Sequence, residues 1–137
     1  MSTIHTSKLY RYLSAFFAFL LWGGWAFFIN DDENSHTGVI SAITQGSFSF
    51  IITLFMTHFI TFQFNKFSNG IVRIVLPPVI TVSITGTMLI LIHIMAGTPS
   101  ILYTVSPALT VALLFSFFNV YKLHLASQIQ GRINDQK

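Results

Sequence analysis

Cysteine is absent from this 137-residue chain, which excludes disulfides, thiol chemistry and cysteine-ligated metal. Charge is nearly absent too. Asp, Glu, Lys and Arg make up 8% of the residues, against about 25% in soluble domains. The few Lys and Arg are scattered and form no patch, so the net charge of +3 does not point to nucleic acid. There is no Gly-rich phosphate loop, zinc-protease helix or nucleophile elbow. No catalytic set and no cofactor is implied, and the chain does not read as an enzyme.

What fills the space is apolar sequence, 53% of the chain. Four long runs cover roughly 13–29, 38–64, 71–97 and 101–121, and about 20 residues of helix cross a bilayer. Arg73 is the one charged residue within these runs. Backbone groups in lipid must be paired within their own segment, so the runs are expected to be helices. The links between them are short, which forces antiparallel neighbours and an up-down four-helix bundle forming a single domain over 1–137. The tail, 122–137, carries Leu125, Ile129 and Ile133 at every fourth position. It suits a helix lying at the membrane surface or a frayed end.

The charges orient the bundle. Lys8, Arg11, Lys66, Arg73, Lys122, Arg132 and Lys137 fall on one side if four spans place both termini in the cytoplasm, as the retention of basic residues there requires. The acidic loop Asp31, Asp32 and Glu33 then faces outward. Tyr10, Tyr12 and Tyr121 sit at the inner boundary, and Trp22, Trp25 and Tyr103 toward the outer one, where amphipathic rings are favoured. A signal peptide would need a small-residue cleavage site. The first run ends instead in Trp25, Phe27 and Phe28. The location expected is a bacterial-type cytoplasmic (inner) membrane.

Polar residues inside the runs are mostly hydroxyls. Ser41, Gln45, Ser49, Thr53, Thr57 and Thr61 recur at every fourth position of the second run. Such an i±4 ridge winds slowly round its helix. It can serve helix packing or line a narrow polar path facing Thr81, Thr85 and Gly86 of the third. In the fourth run Ala108, Ala112 and Ser116 form a small-residue ridge that leads to Asn119. That ridge is expected against the second run or a partner chain, with Asn119 finding a hydrogen-bond partner. Pro77 and Pro78 predict a kink early in the third run, and Pro107 is a further breaker. Gly23 and Gly24 permit close backbone contact.

The histidines admit two readings. His58 and His93 stand at different depths and suit hydrogen-bonded packing positions. His93 could also join His36, Asp31, Asp32 and Glu33 in an outer cation site, since hard and borderline cations accept such ligands. No ligand spacing marks a metal centre.

In length and span number the chain looks broadly like GtrA-type lipid-linked sugar carriers and the small accessory protein of ATP synthase, and no motif carries either likeness. It lacks the first-span carboxylate of small multidrug transporters. The expectation is therefore a structural or accessory membrane protein, packing with itself or with a larger membrane complex. The alternative is a passive carrier or channel for a small or lipid-linked solute along the hydroxyl path.

Overall fold

The computed structural model describes residues 7–136. They form four helices: α1 (Lys8–Asn30), α2 (Thr37–Lys66), α3 (Gly70–Met95) and α4 (Ile101–Asp135). All four are long and apolar enough to cross a membrane. α1 begins a turn earlier than its apolar run because the Ser7 side chain caps it, accepting from the Tyr10 amide at 3.2 Å. α3 is continuous through Pro77 and Pro78, both buried within it. α4 has no break at the end of the apolar sequence. It runs on through the tail as one helix of 35 residues, and residues 122–130 contain neither Gly nor Pro to stop it.

α2 is the central element. It packs against α1, α3 and α4, whereas α1 and α3 do not meet. Neighbours run antiparallel. The start of α2 lies beside the end of α3 (Gln45 with His93) and its end beside the start of α3 (Gln63 with Thr81). Against α1 the approach is backbone to backbone at Gly23 and Gly46. A Cβ on Gly46 would lie 3.1 Å from the Phe19 carbonyl oxygen, and one on Gly23 3.4 Å from the Gly46 Cα.

The interior is the reverse of a water-soluble core. Among the described residues, buried polar side chains outnumber buried hydrophobic ones, and the buried hydrophobic cluster is Met56, Ile60, Phe64, Val120 and Leu123 near one end. The outside carries the large apolar side chains, with Ile71, Phe28 and Leu102 each more than 70% exposed. Water-soluble monomers rarely expose apolar patches on this scale. Hydrocarbon favours the arrangement, because polar groups must then find partners inside the protein.

The helix ends are tied by specific bonds. At the acidic-loop end, Asn30 donates to the Ala26 carbonyl and the Thr104 hydroxyl and accepts from the Ser100 amide. Its own carbonyl accepts from Thr37. One residue thus links α1, α2 and α4. At the opposite end, Arg73 Nε donates to the Phe64 carbonyl at 2.8 Å, and its guanidinium lies 3.8 Å from the Phe64 ring centre. The lone charge within the apolar runs therefore serves the C-terminal turn of α2, where a cation suits the helix dipole.

Candidate functional site

Two features stand out, and they share Ser49. The first is a buried chain of hydrogen bonds. His93 is fully buried near the end of α3. Its Nε2 meets Gln45 Oε1 of α2, and its Nδ1 lies 2.7 Å from Thr98 Oγ1. An amide oxygen only accepts, so the bond assigns the proton to Nε2 and makes Thr98 the donor to Nδ1. Gln45 Nε2 then donates to Ser49 Oγ at 3.4 Å. The sequence runs Thr98, His93, Gln45, Ser49, from the loop after α3 toward the middle of α2.

Local backbone chemistry delivers Thr98. Gly97 adopts φ +68°, the left-handed conformation that closes many helices. The Gly97 amide donates to the Ile94 carbonyl, and the Thr98 amide to the His93 carbonyl. This paired pattern is a Schellman motif, and it folds Thr98 back over the imidazole.

The second feature is a slot between α1 and α4, about 170 Å³ in volume and mostly apolar. Phe17, Leu21 and Trp22 of α1 and Leu109, Ala112 and Phe115 of α4 form its walls. Ser49, Thr53 and Thr85 reach it from α2 and α3. α1 and α4 close on each other beyond both ends of the slot. At one end Trp25 Nε1 donates to the Tyr103 carbonyl at 3.1 Å. Pro107 has no amide hydrogen to give that carbonyl, which lies four residues earlier in α4, so the indole takes its place. At the other end Tyr10 stacks on Phe115 with ring centres 6.2 Å apart. Trp25 thus serves a bond between α1 and α4.

The predicted site residues divide accordingly. The whole α2 ridge, Ser41, Gln45, Ser49, Thr53, Thr57 and Thr61, is buried within the bundle. Its lower part turns inward on itself: Thr57 donates to the Thr53 carbonyl and Thr61 to the Thr57 carbonyl. Thr85 likewise donates to the Thr81 carbonyl. Thr81 meets Gln63 across the helices at 2.9 Å. Gly86 faces α4, where a Cβ would lie 3.1 Å from Leu109. Ser116 donates to the Ala112 carbonyl and stands 3.4 Å from Met56 Sδ, so the α4 ridge packs against α2. Asn119 bonds the Phe115 carbonyl of its own helix.

The outer cation residues are not brought together. Asp31, Asp32, Glu33 and His36 are exposed, while His93 is turned inward to Gln45 and Thr98. Among the described residues no group of three or more His, Asp or Glu is placed to hold a metal ion. Asn30, Gln63 and Thr98 are the polar contacts that sequence reading passed over. All three are amides or hydroxyls close to helix ends, where caps and cross-links concentrate.

No family model, curated protein or solved structure matches the chain significantly. The functional reading therefore rests on the geometry.

Proposed function

We propose that the chain is a small accessory protein of a membrane, without catalytic activity of its own, that packs with itself or with a larger membrane complex. The observation that carries this reading is the reach of α4. Its 35 residues extend roughly 52 Å, well beyond a hydrocarbon core of about 30 Å. From Gln128 onward every described residue of it is exposed. Leu125, Ile129 and Ile133 share one face and are 41%, 61% and 51% exposed. An apolar stripe on a projecting helix is stabilised by a second helix laid against it. The basic residues at this end of the bundle favour a cytoplasmic position for it, in an inner membrane of bacterial type.

The ridges expected to serve partner contact are occupied inside the bundle, so the projecting helix becomes the expected contact. Introducing Glu at Leu125, Ile129 and Ile133 should dissociate the assembly and leave the helical content of the bundle unchanged. An assembly of unaltered size in that variant would rule out this contact.

A second reading, a passive carrier for a lipid-linked solute, is favoured by one observation: the α1–α4 slot brings four hydroxyl residues, Ser14, Ser49, Thr53 and Thr85, to an apolar opening. Reconstituted vesicles test it. Flux of a lipid-linked sugar that falls when Ala112→Phe fills the slot supports the carrier, and flux no greater than in empty vesicles rejects it.

A further inference from the structure

We propose that the slot between α1 and α4 is a binding site for an anionic phospholipid, with part of one acyl chain in the slot and the phosphate held by Arg11 and Lys122. The proposal stands whether the chain works as an accessory protein or as a carrier.

The slot selects its occupant by size. An apolar cavity of about 150 Å³ stays dry and holds a molecule such as benzene. The space here is about 170 Å³, enough for roughly six carbons of a chain. A transmembrane helix is about 10 Å across and cannot enter, because α1 and α4 touch beyond both ends of the slot through Trp25 with Tyr103 and Tyr10 with Phe115. Length agrees as well. Ser14 to Trp22, the stretch of α1 along the slot, spans about 12 Å of helix, less than half of a hydrocarbon core of about 30 Å. A chain from one leaflet can fill it.

Charge selects the headgroup. Arg11 lies three residues before Ser14 and shares its face of α1. Lys122 lies seven residues after Phe115 and shares its face of α4. The Lys122 Nζ sits 3.5 Å above the Tyr10 ring, which in turn stacks on Phe115 at the rim. On the same turn of α1, Arg11 Nε is closed off from solvent and has no hydrogen-bond partner among the described residues. The Arg11 guanidinium is a multiple donor that finds no acceptor for its Nε in the protein, and a phosphate oxygen is the acceptor that suits such a group. Among the described residues no carboxylate competes. Asp31, Asp32 and Glu33 belong to the loop at the far end of α1, and Asp135 lies about 20 Å along α4 from Lys122. A molecule apolar along its length and anionic at one end fits both halves of the site.

The full chain, reconstituted into bilayers of equal phosphatidylglycerol and phosphatidylcholine and released for native mass spectrometry, tests the proposal. Phosphatidylglycerol should be retained in preference, by about fivefold for each cation. Arg11→Gln with Lys122→Gln should erase the preference, whereas Lys66→Gln should keep it. Ala112→Phe, which fills the slot, should lower retention of both lipids. Added inorganic phosphate should displace neither. Thermal melting provides a second readout: phosphatidylglycerol should raise the Tm of the parent and not that of the double variant. Equal retention of the two lipids by the parent, or a preference that survives the double variant, overturns the proposal.

Discussion

Gly46 of α2 faces Gly23 of α1, and the two helices touch there through their backbones. A Cβ on Gly46 would stand 3.1 Å from the Phe19 carbonyl oxygen and 3.2 Å from the Phe19 ring. The carbonyl belongs to a helix and cannot step aside unless α1 moves. Gly46→Leu should therefore push α1 away from α2 and cost about 1–3 kcal/mol. A Cβ on Gly24 would meet nothing within 4 Å, so Gly24→Leu should be close to neutral. Thermal melts followed by circular dichroism in detergent compare the two.

Gln45 and His93 form a polar contact between two fully buried side chains. Gln45→Leu leaves the imidazole Nε2–H without its acceptor, and a buried unpaired donor costs about 1–3 kcal/mol. His93→Phe strands the Gln45 oxygen in the same way. The double variant removes both partners and should be more stable than the sum of the single losses predicts. A double-mutant cycle on Tm measures the difference. Nitrogen-15 shifts of His93 should show a neutral ring protonated at Nε2.

Gly97 holds the turn that presents Thr98 to His93. At φ +68° a side chain is strained, so Gly97→Ala should lose about 1–2 kcal/mol. Thr98→Val keeps the turn and deletes only the hydroxyl bond. It should lose about 1 kcal/mol and free the His93 Nδ1, which the same nitrogen-15 experiment detects.

Trp25 and Pro107 should be energetically coupled although they do not bond each other. Trp25→Phe leaves the Tyr103 carbonyl unpaired, at a cost of about 1 kcal/mol. In a Pro107→Ala background the helix supplies its own amide to that carbonyl, and the loss on Trp25→Phe should shrink. Equal losses in the two backgrounds would contradict this role for the indole.

The apolar runs made the helices legible, because length and hydropathy alone require them. The buried α2 ridge was visible as a four-residue spacing, and its small side chains pointed to packing. The destination of each hydroxyl was not visible. Thr57 and Thr61 bond backward along their own helix, while Gln63 reaches across to Thr81; helix periodicity allows both outcomes. The His93–Gln45 contact joins residues 48 positions apart, and only the register of α2 against α3 decides it. The slot was hidden for a related reason. It arises where α1 and α4 fail to close between two contacts, and nothing in either helix alone records that gap. The tail was open between two readings, and its continuity with α4 follows from ordinary helix formers with no breaker before Gly131.

The size of the assembly in mild detergent, measured by light scattering on the full chain, tests the accessory role most directly. The account predicts a species larger than the 15.4 kDa single chain, formed with its own copies or with a co-purified membrane protein, that reverts to single chains when Leu125, Ile129 and Ile133 are replaced by Glu. A strictly monomeric species that brings down no other protein would contradict it.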